Sequence, residues 1–222
     1  ADSGAAFEVT NPATDEVVAR VPRCGGAETG RAIDAAFKAW GAWRELTGAE
    51  RAAPIVRLAA LMRRDVDRLG ELMTREQGKP LDEARGEIGY AAGFLDWSAE
   101  EAKRVYGEIV PASVANKRLL VIRQPVGVCA IITPWNFPCA MITRKLGPAL
   151  ASGCTVVIKP AEDTPLSALA LGELAIEAGI PAGVVNILTG DPREIGGRIM
   201  SDRRVRKLSF TGSTEVGRLL MK

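Results

Sequence analysis

Histidine is absent from all 222 residues. Its absence removes Ser-His-Asp and Cys-His catalysis and every metal site that needs imidazole. Cysteine is scarce: Cys24, Cys129, Cys139 and Cys154 are widely spaced with no C-x-x-C, so neither a zinc cluster nor a redox pair is expected. The four thiols read as small buried hydrophobes, and no metal is expected. No apolar run approaches the ~20 residues that span a bilayer. Ala1-Asp2-Ser3-Gly4 lacks a basic region followed by an apolar core, so no signal peptide is expected and a soluble cytoplasmic protein is the default. An excess of one charge is missing too. With 29 basic and 27 acidic residues the net charge is +2, which makes no electrostatic case for nucleic acid. The clusters Arg63-Arg64 and Arg203-Arg204 with Arg206-Lys207 are short and read as solvated surface. What remains, 47% hydrophobic and 25% charged residues, is ordinary for a globular protein.

Along the chain, residues 1 to 25 mix extended apolar pairs with turn signals at Thr10-Asn11-Pro12 and Val21-Pro22. Ile33, Phe37 and Trp40 then share one face of a helix from about Ala27 to Glu45. Thr47-x-x-Glu50 is a capping-box pattern that opens a second helix, with Ile55, Leu58 and Met62 inward. A third helix spans Asp65 to Gln77 and is stopped by Gly78. Pro80 suits the first turn of a long fourth helix towards Tyr106, with Ala84, Ile88, Ala92, Leu95 and Ala99 on one side. Glu108–Pro111 and Arg118–Gln124 read as two extended runs of a β-hairpin around the polar turn Asn116-Lys117, and Arg118 and Arg123 suggest that it meets solvent or a neighbouring subunit.

The remainder alternates strand with helix. Val128–Thr133, Thr155–Lys159, Val184–Leu188 and Lys207–Phe210 read as strands, and Met141–Ala151, Pro165–Ala178 and Glu194–Met200 as helices between them. Apolar strands separated by helices predict an α/β fold with a parallel sheet covered on both faces. That is a dinucleotide-fold arrangement, yet G-x-G-x-x-G is missing after the first of these strands, so a bound nucleotide would need a variant phosphate turn. The expected division is 1–106, amino-terminal helices; 107–125, the hairpin; and 126–222, a Rossmann-like core.

Three polar loops follow three of these strands and describe one site. In Ile131-Ile132-Thr133-Pro134-Trp135-Asn136-Phe137-Pro138, two prolines clamp a Trp-Asn pair at a strand end, where α/β folds bind ligands. Asn136 offers an uncharged amide that can stabilise an oxyanion, or alternatively a helix N-cap. Trp135 reads by residue type as core rather than contact. In Lys159-Pro160-Ala161-Glu162 an ammonium and a carboxylate can grip the hydroxyls of an adenosine ribose, and the carboxylate would repel a 2′-phosphate, favouring NAD over NADP. The competing reading is a surface ion pair beside a helix starting at Pro165. Gly212-Ser213 opens a last helix with Val216, Leu219 and Leu220; its amides and hydroxyl suit a phosphate, although Ser and Gly begin many helices. Gly196-Gly197 allows another close backbone approach. Arg144 lies about two turns beyond Asn136 and could take a substrate carboxylate bidentately, or be solvated.

Thr133-Pro134-Trp135-Asn136-Phe137-Pro138, Lys159-Pro160-Ala161-Glu162 and Phe210-Thr211-Gly212-Ser213-Thr214-Glu215-Val216-Gly217 together resemble the NAD(P)-dependent aldehyde dehydrogenase superfamily, from about Val9 to the last residue. Glu76-Gln77-Gly78-Lys79-Pro80 and Met141-Ile142-Thr143-Arg144-Lys145 look like its succinate-semialdehyde dehydrogenases. The resemblance implies that Asn136 is the oxyanion-hole amide and that Arg144 takes the substrate's distal carboxylate. Ile132, Thr133, Pro134 and Trp135 would border the nicotinamide, Lys159 and Glu162 hold the ribose with Ala161 beside it, and Gly212 and Ser213, with Gly196 nearby, hold the pyrophosphate. It implies NAD-dependent oxidation of succinate semialdehyde through a cysteine thiolate, a thiohemiacetal and a thioester hydrolysed by glutamate-activated water. The family's Glu-Leu-Gly-Gly and Gly-Gln-x-Cys contexts do not occur in this chain, and Cys139 is not at the family's nucleophile position. The expectation is therefore an incomplete aldehyde dehydrogenase fold, an amino-terminal half inactive alone, whose hairpin at residues 108 to 124 pairs with another subunit in a homo-oligomer. The alternatives are a relative acting on another semialdehyde or a neutral aldehyde, and a catalytically silent nucleotide-binding subunit.

Overall fold

The computed structural model describes residues 1–221; Lys222, the end of the expected Rossmann-like core, lies outside them. Strands β1 (Ala6–Thr10) and β2 (Val17–Pro22) pair antiparallel. Four helices follow: α1 (Gly26–Glu45), α2 (Gly48–Arg64), α3 (Val66–Gln77) and α4 (Leu81–Glu101), the last running into a 3-10 turn at Ala102–Arg104. The predicted capping box is formed at α2: Glu50 N–H donates to Thr47 Oγ1 at 3.3 Å and Thr47 N–H to the Glu50 carboxylate at 2.7 Å. Gly78 ends α3 at φ 82°, a left-handed conformation that suits glycine. Ala84, Ile88, Ala92, Leu95 and Ala99 are buried along α4, as their spacing predicts.

The face predicted for α1 needs correction. Ile33 is fully buried, but Phe37 is 46% exposed and Trp40 half-buried; Thr29, Ile33, Ala36 and Trp43 make the contact. The small Ala36 is favoured there because the helix backbone comes against the sheet, where Thr155 Oγ1 donates to Ala36 O at 2.9 Å. Strands β3 (Glu108–Val110) and β4 (Leu119–Val121) then form the expected antiparallel hairpin, exposed throughout, with Ile109 at 83%.

The parallel sheet holds β5 (Val128–Ile132), β6 (Thr155–Lys159), β7 (Val185–Ile187) and β8 (Val205–Phe210), connected through α5 (Ala140–Ala151), α6 (Leu166–Glu177) and α7 (Pro192–Ser201) and followed by α8 (Thr214–Leu220). Side chains alternate across a strand. Val128, Ala130 and Val157 pack with Ile33, Ile195 and Ile199 of α1 and α7. Cys129, Ile131, Val156 and Ile158 pack into the larger core with helices α2 to α6. Both faces of β5 and β6 are thus covered, which is why those strands are apolar throughout. β8 departs from that expectation: it is an edge strand of the sheet, opposite β7, and Arg206 and Lys207 are exposed on it. Three cysteines are buried as read, whereas Cys24 is half-buried because it lies outside the main sheet, in an isolated bridge to Gly190.

Candidate active site and ligand edge

The sheet order is β7-β6-β5-β8. The chain steps outward from β5 through β6 to β7, then crosses back to place β8 on the other side of β5. Ligands of open α/β sheets bind at such a reversal, outside the carboxyl ends of the strands. In the parallel register Ile132 faces Lys159 on one side and Phe210 on the other, so three strands end level. Thr133 N–H donates to Lys159 O at 3.3 Å and Thr211 N–H to Ile132 O at 3.1 Å. These bonds extend the ladders one residue beyond the strands and bring the predicted loops to one edge.

Ile132 and Pro134 are half-buried there, and Thr133 is buried with no hydrogen-bond partner for its hydroxyl. Trp135 is 54% exposed, which corrects its assignment to the core: the prolines carry the loop past the strand end, clear of the packed layers. Asn136 is exposed, and its side-chain amide makes no hydrogen bond among the described residues. It does not cap α5 either. That helix begins after Cys139 without a cap from its own segment, and Glu87 of α4 accepts the N–H groups of Cys139 at 2.9 Å and Ala140 at 3.1 Å. Burial, then the Glu87 carboxylate, pushes the Cys139 thiol well up, which keeps it neutral and unreactive.

Lys159 is buried at the end of β6, donates to Pro160 O at 3.1 Å and pairs with Glu162, whose side chain is 42% exposed. Ala161 is buried between them in sequence. On the far loop, Ser213 Oγ accepts Val216 N–H at 3.2 Å and caps α8, so its hydroxyl proton stays free to donate. A Cβ on Gly212 would come 2.5 Å from the tip of the Phe210 ring, so a larger residue there would require the ring to shift. Gly196 and Gly197 of α7 line a groove of about 990 Å³ with Thr214, Glu215 and Leu219 of α8. A Cβ on either glycine would touch nothing within 4 Å, so their bareness serves no internal packing. An orphaned threonine hydroxyl, a free serine proton and a bare backbone groove along one edge fit a nucleotide cofactor.

Arg144 is exposed on α5, its guanidinium 5.1 Å from the Phe94 ring centroid, and no carboxylate pairs with it among the described residues. It borders a cleft of about 700 Å³ between α5 and β8, whose charged lining is Arg123, Arg144, Lys145 and Lys207, with no acid. Burial, then Arg144, lowers the affinity of Lys145 for its proton, and its ammonium donates to Thr211 Oγ1 at 2.6 Å, joining α5 to the loop after β8. Among the described residues there is no group of three or more metal-ligating side chains and no helix long and apolar enough to cross a membrane.

Sequence reasoning gave no role to Glu76, Lys79, Glu87 or Lys145. Glu76 accepts the N–H groups of Leu166 at 2.7 Å and Ser167 at 2.8 Å, doing for α6 what Glu87 does for α5. A signal was present: Glu76 follows Leu69 and Met73 on the buried face of α3, and Glu87 falls between Ala84 and Ala91 on that of α4. A carboxylate in an apolar stripe demands a buried partner.

A doubly wound sheet with its polar loops gathered at the reversal of strand order defines a nucleotide-type α/β protein. The sequence signature described as the Aldehyde dehydrogenase family matches residues 1–222. The chain belongs to that family. It is 62% identical over 222 residues to a glutarate-semialdehyde dehydrogenase of Pseudomonas putida, covering all of this chain and 46% of the relative. It is 59% identical to an NADP(+) succinate-semialdehyde dehydrogenase of Escherichia coli, with the same coverage of each. The crystal structure of an aldehyde dehydrogenase from Brucella melitensis biovar abortus superposes with a TM-score of 0.99 at 58% identity, over all of this chain and 46% of that one. The chain thus spans about half the length of the relatives it matches, and its fold is that of an aldehyde dehydrogenase over that half.

Proposed function

We propose that the protein containing this chain oxidises an aldehyde with a distal carboxylate, succinate semialdehyde foremost, to the corresponding acid with NAD. The observation that carries this reading is Arg144: a guanidinium without an acid partner among the described residues, in an acid-free cationic cleft, on the helix that follows Asn136. A bidentate carboxylate–guanidinium contact there fixes the far end of the substrate. Asn136 holds an uncommitted amide at the strand end, and its N–H donates to the oxygen on which charge develops as the aldehyde carbon becomes tetrahedral.

The dinucleotide, when bound, supplies the hydride acceptor. Glu162 accepts from the ribose hydroxyls with Lys159 beneath it, Gly212 and Ser213 donate to the pyrophosphate, and Gly196 lets that region approach backbone. Ile132, Thr133, Pro134 and Trp135 border the nicotinamide end, and Ala161 walls the ribose. The exposed β3–β4 hairpin pairs with a second copy, completing a homo-oligomer. The family's thiolate and general-base contexts are absent from these residues, so the isolated chain gives no turnover. A second reading, a substrate one methylene longer, is favoured by the Pseudomonas putida relative and keeps every role.

The test is NADH formation by the full-length protein with succinate semialdehyde, glutarate semialdehyde and butanal. One charged bidentate contact makes kcat/KM for a semialdehyde roughly tenfold or more above that for butanal. Equal values would overturn the substrate class.

A further inference from the structure

Gln77 Nε2 and Lys79 Nζ converge on one carbonyl, that of Asn136, at 3.4 and 3.1 Å. The two residues flank Gly78, whose φ of 82° turns the chain out of α3, and a Cβ there would meet Pro12 Cγ at 2.9 Å. The Lys79 ammonium also pairs with Glu87 and lies 4.1 Å from the centroid of the Phe137 ring. Its side chain is 10% exposed and that of Glu87 1%. Glu87 in turn accepts the Cys139 and Ala140 N–H groups. Residues 136, 137, 139 and 140 are thus all gripped by one buried ion pair, while the Asn136 amide stays free.

We propose that Lys79 and Glu87 are positioning residues: the pair holds the Asn136 backbone so that its side-chain amide is presented at a fixed place and orientation. The inference rests on the reading of Asn136 as the oxyanion donor. Apart from the longer Gln77 contact, little else fixes this exposed amide between two prolines, since its side chain makes no hydrogen bond among the described residues and α5 begins only after Cys139. A buried carboxylate accepting two N–H groups and one ammonium is fully engaged and cannot move without losing several bonds at once. A misplaced donor loses the geometric benefit that preorganisation supplies.

The experiment is a double-mutant cycle in the full-length enzyme, with single-turnover rates for wild type, Asn136→Ala, Lys79→Met and the double variant. Methionine keeps the apolar stem and removes the ammonium. Lys79→Met alone is expected to slow turnover roughly tenfold or more. Added to Asn136→Ala it should cost less than about twofold, because the group it positions is already gone. Hydrogen exchange gives a readout independent of turnover: amides of residues 136 to 140 should exchange faster in Lys79→Met while those of α6 do not change. If Lys79→Met fails to fold, Lys79→Met/Glu87→Gln, which leaves no unpaired buried charge, takes its place in the cycle. The same cost in both backgrounds, or unchanged exchange, would overturn the positioning role. An Asn136→Ala enzyme as fast as wild type would instead overturn the reading of Asn136 itself.

Discussion

Under the proposed function Glu162 and Lys159 divide the cofactor edge between them: the lysine is buried and the glutamate side chain 42% exposed. A carboxylate facing the ribose accepts from two hydroxyls but meets a 2′-phosphate as a like charge, which costs about 1 kcal/mol or more at this partly exposed position. Glu162→Ser should therefore lower the ratio of kcat/KM with NAD to that with NADP by roughly tenfold or more, measured with one aldehyde at saturation. An unchanged ratio would place cofactor choice elsewhere. Residues of this kind are legible in sequence because each ends an apolar run: Asn136 and Lys159 stand where a buried strand meets solvent. Lys79 and Glu87 are not, because their partners lie 57 and 52 residues away and only the fold brings them together. Trp135 misleads for a related reason. Its size argues for burial, but the backbone around it leaves the sheet.

The helices owe their placement at the site to carboxylates borrowed from other helices. Glu76 and Glu87 satisfy the first N–H groups of α6 and α5, a stabilising arrangement for a negative charge at a helix N-terminus. Burial nevertheless pushes the Glu76 carboxyl up to about 7, with the Glu87 charge adding to the shift. In the unfolded chain it ionises near its usual 4.5, so from about 4.5 to about 7 the folded chain retains a proton that the unfolded chain has released. Stability from this group is therefore present below the unfolded value and lost as pH rises through the folded one, by up to ~1.4 kcal/mol per pH unit. Glu76→Gln has no proton to lose. Its apparent Tm, relative to wild type, should rise between about pH 4.5 and about pH 7 and level off above, and a constant difference would contradict the burial of an ionising carboxylate. Element boundaries were largely readable from caps and breakers, as at Thr47, Gly78 and the hairpin. The face of α1 was not. Apolar periodicity there marked Phe37 and Trp40, whereas close approach to the sheet selected Ala36 and Thr29.

At the scale of the whole molecule, the sheet separates two cores, and its carboxyl edge presents three loops in register. That arrangement follows from alternating apolar strands and helices, so the fold class was legible before any contact was known. The exposure of the edge strand β8 was only partly so, since a strand's covering depends on what packs against it. The family match over residues 1–222, with about half the length of its relatives covered, agrees with half of an aldehyde dehydrogenase fold. Under the proposed function, substrate choice falls, within this half, on Arg144. The most direct measurement compares kcat/KM for succinate semialdehyde and for butanal in full-length wild-type enzyme and in Arg144→Leu. The expected result is a roughly tenfold or greater loss for the semialdehyde with little change for butanal, most of it in KM. An equal loss for both aldehydes would contradict the assignment of Arg144 as the carboxylate anchor.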